Sequence, residues 1–140
     1  MKEIEKINEL AKELMGKYYK EILDGDWWRK TRQPTTKFIK LEKTSEKEPD
    51  KKELLGLACI SAIESLTRKS LVIEDIIIDK ENRGLGWGKD MVNQIIDIAK
   101  KNNLDCVEVC TKKDNKIARK LYEKMGFKDR RNIAYRLWLK

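Results

Sequence analysis

The chain has 140 residues, 40% hydrophobic and 40% charged, with a formal net charge of +8. That length supports one hydrophobic core rather than two, and no apolar run approaches the roughly 18 residues a membrane helix needs. The charged start, Met1-Lys2-Glu3-Ile4-Glu5-Lys6, is unlike a secretory leader, so the expectation is a single cytoplasmic domain over residues 1–140.

Residues 3–23 place Ile4, Ile7, Leu10, Ala11, Leu14, Tyr18 and Ile22 at three- and four-residue spacing, which predicts an amphipathic helix. Asp24-Gly25-Asp26 ends it, and Trp27-Trp28 opens a loop or short second helix reaching Pro34. Lys37–Lys43 alternates as a strand does, and polar Thr44–Lys52 reads as a hairpin tip. Leu54–Ile63 predicts a central strand. Leu71–Ile78, a β-branched run broken only by Glu74-Asp75, predicts a strand buried on both faces.

The loop Asp79–Gly88 leads into a predicted helix from Trp87 to Asn102, followed by a short strand, Cys106–Cys110. A helix capped by Asp114 should run to Met125, with Gly126 at its C-terminal cap and a closing strand over Ile133–Leu139. Strands alternating with helices give one α/β domain.

There is no histidine, and Cys59, Cys106 and Cys110 form no C-x-x-C pair, so no metal site is expected. The cysteines read as reduced core or strand residues. Any general base must then be a carboxylate, tyrosine, cysteine, free amine or water. Residues 1–110 balance 21 basic against 21 acidic side chains, whereas residues 111–140 hold 11 basic against 3 acidic. Such a segment suits nucleic acid, an acidic membrane surface or a phosphate-rich ligand. It equally suits a solvated lysine-rich helix face.

Arg83-Gly84-Leu85-Gly86-Trp87-Gly88 lies between a strand and a helix, the arrangement of a phosphate cradle. Glycines admit close backbone approach, and a helix start offers N–H donors with positive dipole potential. A dinucleotide fingerprint starting at Gly84 would need glycine at Lys89, and one starting at Gly86 would need it at Met91. A P-loop fails at Arg83 and Asp90. What fits is Arg-x-x-Gly-x-Gly.

With that loop, the stretch Leu71–Met125 resembles the signature core of the GNAT superfamily of N-acetyltransferases. The matching text is I-E-D-I-I-I-D-K-E-N-R-G-L-G-W-G and, after a helix and a strand, D-N-K-I-A-R-K-L-Y-E-K-M-G-F. The resemblance covers the C-terminal half strongly and the first fifty residues only by element order. It implies a mixed, mostly antiparallel sheet of about six strands flanked by helices. The family's opening strand is missing or very short here, which leaves a sheet edge that a second copy can pair with as a homodimer.

The resemblance further implies acetyl-CoA as co-substrate. Backbone N–H groups of Arg83, Gly84, Leu85, Gly86, Trp87 and Gly88, with Lys89 beside them, would hold its pyrophosphate. The backbone of Ile76, Ile77 and Ile78 would pair with the pantetheine arm in a cleft where the Glu74 strand parts from Cys106–Cys110. Trp87 replaces a smaller aliphatic residue, and core packing or groove lining both suit it. Asn115, Ala118 and Tyr122 share one helix face. The family pattern assigns Asn115 to a pantetheine contact and Tyr122 to general acid for the leaving thiolate. Lys112, Lys113, Lys116, Arg119 and Lys120 then suit a phosphate-rich ligand, and a nucleic-acid partner is not favoured.

An amine must lose a proton before it attacks. Glu74, interrupting an apolar strand at the cleft, is the candidate base, with a pKa raised by half-burial and a water as relay. Alternation forbids Glu74 and Asp75 from facing the same way, and Glu108 on the next strand is the reserve. These acids could instead anchor a cationic substrate or pair with lysines. Trp27 and Trp28 suit either an amine pocket or the core. The acceptor is read as a small primary amine, polyamine-like or an amino-sugar phosphate. A protein lysine or N-terminal amine is one alternative, a non-catalytic acetyl-CoA sensor a second, and a basic nucleic-acid-binding module a third.

Overall fold

The computed structural model describes residues 3–15 and 36–140. Trp27 and Trp28 lie outside the described residues, as does the continuation of the first helix beyond residue 15. The chain falls into two compact units, Met1–Cys110 and Thr111–Lys140.

In the first unit, helix α1 spans Glu3–Met15 and is followed by strands β1 (Thr36–Thr44), β2 (Lys52–Glu64) and β3 (Lys69–Ile78). A 3-10 turn, Lys80–Asn82, leads to helix α2 (Trp87–Lys101) and strand β4 (Cys106–Val109). The sheet order is β1-β2-β3-β4. The first two pairings are antiparallel and β3–β4 is parallel. The mixed, mostly antiparallel sheet flanked by helices matches the expectation, with four strands among the described residues against the six anticipated.

Each face of the sheet buries one helix. Met91, Ile95 and Ala99 repeat every four residues along α2 and pack with Leu41, Leu55, Ala58, Ile60, Leu71 and Ile73. Ile7 and Leu10 of α1 pack with Leu54 and Ile77 on the other face. Side chains buried as fully as Leu10, Leu55, Ile60, Ile73 and Ile95 each stabilise the fold by about 1.5–3 kcal/mol. The flanking helices explain why β3 is apolar on both faces: Ile77 joins the α1 cluster while Ile76 and Ile78 pack against the α2 cluster.

Two β-bulges set these faces. On β2, Gly56 opposes Leu41 and Leu54 opposes Glu42, so Leu55 is the extra residue. On β3, Asp75 opposes Cys59 and Ile73 opposes Ile60, which leaves Glu74 without a partner. An inserted residue shifts the alternation of everything beyond it. Leu71 and Ile73 therefore share a face with Ile76 and Ile78, and an uninterrupted two-residue period would have put them on opposite faces.

In the second unit, helix α3 spans Lys116–Lys124. Its cap is Asn115 rather than Asp114: the Asn115 Oδ1 accepts the Ala118 N–H at 3.1 Å. The strand expected over Ile133–Leu139 is not formed, and residues 127–140 carry neither helix nor strand. Ile133, Tyr135, Leu137 and Leu139 are 78–90% exposed. Alternation in sequence marks two faces but supplies no neighbouring backbone, and the unit itself contains no other strand for the segment to pair with.

Gly56 is tightly placed. A Cβ there would lie 2.7 Å from Ile78 Cδ1 and 2.8 Å from the Ile77 carbonyl oxygen. The methyl could turn aside; the carbonyl belongs to the strand. Gly56→Ala should therefore push β2 from β3 and destabilise the protein by about 1–3 kcal/mol, read as a lowered midpoint in urea denaturation.

Candidate active site

β3 and β4 pair only from Ser70–Cys106 to Ile73–Val109. The pairing stops at the Glu74 bulge, while β3 continues against β2 as far as Ile78 opposite Gly56. The last half of β3 thus has a partner on one side only among the described residues. The Asp79 N–H donates to the Leu55 carbonyl at 2.7 Å, which puts the polar backbone groups of Asp79, and two residues back those of Ile77, on the β2 side. Backbone groups of Ile76 and Ile78 then point to the open side. Of the three residues expected to pair with an extended ligand, geometry favours Ile76 and Ile78 over Ile77. The Ile78 carbonyl already accepts from Arg83 Nε at 2.9 Å.

The 3-10 turn carries the chain from β3 into the loop. Gly84 and Gly86 take φ of +77° and +91°, values that side-chain-bearing residues avoid. Among the described residues, a Cβ at either would meet nothing within 4 Å, so packing there does not demand glycine. Gly86 is the N-cap of α2, and the Asp90 N–H donates to its carbonyl at 3.1 Å as the first helical bond. Helix geometry consequently leaves the N–H groups of Gly86, Trp87, Gly88 and Lys89 without intrahelical acceptors, at the positive end of the dipole. This arrangement fits a diphosphate.

The Arg83 N–H donates to the Lys80 carbonyl at 3.4 Å. Its guanidinium bonds the Ile78 carbonyl and pairs with Glu13 of α1. Arg83 braces the loop rather than reaching over it. Trp87 is half-buried and packs against the α2 core, while Leu85 and Lys89 are exposed.

Glu74 and Asp75 are exposed, not half-buried as the sequence suggested for Glu74. The bulge also removes the argument from alternation that kept them apart. Both act on the same neighbour: burial, then the charges of Asp75 and Glu74, push the Cys59 thiol up to about 11. Cys59 is therefore a protonated, unreactive thiol at neutral pH. Desolvation raises the Asp75 pKa, which makes its carboxyl the more basic kind suited to taking a proton. Glu108 is held by Arg68, whose Nε and Nη2 lie 3.0 and 2.9 Å from its Oε1. That pairing ties it to the β2–β3 turn, which weakens it as a reserve base.

In the second unit, Asn115 spends its Oδ1 on the helix cap, leaving Nδ2 as the end suited to an acceptor on a ligand. Ala118 is half-buried one turn on. Tyr122 is 7% exposed, its ring centroid 5.6 Å from that of Phe127. Burial raises its pKa, so the phenol keeps its proton throughout the neutral range.

The family model of the acetyltransferase (GNAT) family matches residues 4–127. The chain belongs to the GNAT acetyltransferase family. No curated protein matches the sequence. Among solved structures, a transcriptional regulator from Bacillus halodurans C-125 is similar, with a TM-score of 0.75 and 18% identity over 99% of this chain and 96% of that one. AAC(6')-Iy in complex with the bisubstrate analogue CoA-S-monomethyl-acetylneamine aligns with a TM-score of 0.73 and 17% identity, covering 96% and 91%. An acetyltransferase from Trypanosoma brucei gives 0.73 and 18%, covering 97% and 92%. At these identities the likeness is one of fold.

Membership in this family makes acetyltransfer from acetyl-CoA the expected chemistry, and the glycine loop at the end of β3 fits that donor. Four residues of the site region were not picked out from sequence: Gly56, Lys6, Asp79 and Asn82. Asp79, at the N-cap of the turn, and Asn82, its last residue, are buried polar groups, and an aspartate closing an apolar strand was the one available signal. Gly86→Val should abolish coenzyme A binding, through the strained φ and a side chain over the N–H groups. Retained affinity in calorimetric titration would refute the diphosphate loop.

Proposed function

We propose that this chain is an acetyl-CoA-dependent N-acetyltransferase that moves the acetyl group to a small primary amine by direct attack in a ternary complex. The observation that carries the reading is the parting of β3 from β4 at Glu74, with the glycine loop at the end of the same strand. A pantetheine arm lying along the open side of β3 would bond Ile76 and Ile78 as an added strand does, with its diphosphate on Gly84–Lys89. Its thioester would then reach the point where the strands separate.

The amine arrives as an ammonium and gives a proton to a carboxylate, directly or through water, with Glu74 as the base and Asp75 beside it. The freed nitrogen lone pair attacks the thioester carbon, forming the C–N bond and a tetrahedral oxyanion. Collapse breaks the C–S bond, and the departing sulfur takes a proton from a phenol, the role that the family pattern gives Tyr122; the extra proton still on the nitrogen then leaves through water and restores the phenol, which gives a neutral amide. The products are an N-acetyl amine and free coenzyme A. Adjacent carboxylates at the opening favour a cationic acceptor, which a polyamine-like amine suits; an amino-sugar phosphate is the other small amine of the reading, and its phosphate draws nothing from these carboxylates. The complex of AAC(6')-Iy with the bisubstrate analogue CoA-S-monomethyl-acetylneamine supports a small amine as acceptor.

A panel of polyamines, amino-sugar phosphates and lysine peptides, assayed by thiol release, tests the reading. Release with a small amine supports it, and release only with peptides moves the acceptor to protein. Coenzyme A binding with no release from any amine would make the chain a sensor. Tyr122→Phe should keep acetyl-CoA affinity but lower kcat by about 10²-fold. The parent enzyme should lose kcat on the alkaline side as the phenol, with its raised pKa, gives up its proton; the variant should lack that limb. For Glu74→Gln the loss should be largest at low pH, where the amine is most protonated, and should shrink as pH rises. A uniform loss would reassign the base.

A further inference from the structure

Asp79 follows β3 directly and is 8% exposed, as is Asn82. Its Oδ1 accepts from Lys6 Nζ of α1 at 2.7 Å, and its Oδ2 accepts from Asn82 Nδ2 at 3.0 Å. The Asp79 N–H is bonded to Leu55 of β2, and its carbonyl accepts the Asn82 N–H at 2.9 Å. Asp79 therefore joins α1, β2 and the 3-10 turn. Desolvation works to raise its pKa, but the hydrogen bond and charge of Lys6, with help from Asn82 and Lys80, hold it below the usual carboxylate range. For Lys6, desolvation pulls downward and is outweighed by Asp79 and Glu9, so its pKa rises. Both groups are ionised at neutral pH.

A second tie lies at the other end of the turn, where Arg83 pairs with Glu13 while bonding the Ile78 carbonyl. Lys6 and Glu13 are seven residues apart, two turns along one stripe of α1. Between these ties and α2 stand Gly84 and Gly86, where no described residue lies within 4 Å of the places their side chains would take. A loop ordered only by its ligand loses affinity to the entropy of that ordering. One whose exit is already braced does not.

We propose that Asp79 is a positioning residue for the acetyl donor: by gripping Lys6 and Asn82 it sets the direction in which the loop leaves β3, so that the N–H groups of Gly84–Lys89 are arranged before the diphosphate arrives. The proposal rests on the coenzyme A reading of the loop. Lys6 acts through Asp79 and touches no part of the ligand.

Lys6→Met, Lys6→Arg, Asp79→Asn and the Lys6→Met/Asp79→Asn double variant of the full chain test it. Coenzyme A affinity is measured by calorimetry well below Tm, and KM and kcat with the best amine of the panel. Lys6→Met and Asp79→Asn should each weaken coenzyme A binding and raise the acetyl-CoA KM about tenfold, with kcat within about twofold. The double variant should be no worse than either single, and Lys6→Arg should restore most of the affinity. A folded Lys6→Met protein with lowered Tm but unchanged affinity and KM would overturn the proposal, because the pair would then serve stability alone. Should Asp79→Asn fail to fold, Lys6→Met and Lys6→Arg decide the matter between them. Failure of the unsubstituted protein to bind coenzyme A would refute the loop reading itself, and the proposal with it.

Discussion

β3 is held to β2 along its whole length but to β4 over only four residues, and the extra residue at Glu74 lies where one pattern gives way to the other. A parallel ladder that continued past Ile73 would have used up the backbone groups of Ile76 and Ile78. Because it stops, those groups have no strand partner on that side among the described residues, with the Ile78 carbonyl bonded to Arg83 instead, on a strand made rigid by its other neighbour and by helices on both faces. The bulge also changes which side chains face which helix. The inserted Glu74 thus marks where the parallel pairing ends and, with the bulge at Leu55, which side chains face which helix.

Rigidity on the β2 side has its own requirement. Gly56 opposes Ile78, and the Ile77 carbonyl lies where a Cβ would go. The strands meet closely because the position carries no side chain, and Ile78 is the residue from which the chain turns toward the loop. Packing at Gly56 and the ionic grip at Asp79 act on adjoining residues of the same strand end.

Charges in this protein differ greatly in what they do. Lys43–Glu53, Lys52–Glu42 and Lys69–Glu64 span 3.5–3.8 Å between largely solvated side chains, and pairs of that kind contribute little. Lys6–Asp79 is shorter, better shielded and backed by further hydrogen bonds. Breaking it would leave a buried carboxylate uncompensated, a far larger cost than loss of a surface pair. Most of the 40% charged composition is solvated surface; the informative ionic contacts are the few that connect α1 to the loop.

Much of this architecture was legible in the sequence. Periodicity located α1 as far as it is described, α2 and three long strands to within a few residues, since burying one face of a helix or strand writes its period into the chain. Arg83–Gly88 was legible for a different reason: positive φ at a helix start restricts residue type, so Gly84 and Gly86 announce the geometry. The bulges were not legible, because an extra residue shows only when the partner strand is laid beside it, and they undid the inference that Glu74 and Asp75 face opposite ways. Nor could alternation in Ile133–Leu139 make a strand without a neighbour. The sequence by itself carried the resemblance to the family that the family model bears out, and local spacing marked most of the elements and the glycine loop. Tertiary structure decided where β3 and β4 part, that Glu108 is tied to Arg68, and that Lys6, Asp79 and Asn82 meet, because each of these depends on residues far apart in the chain being brought into register.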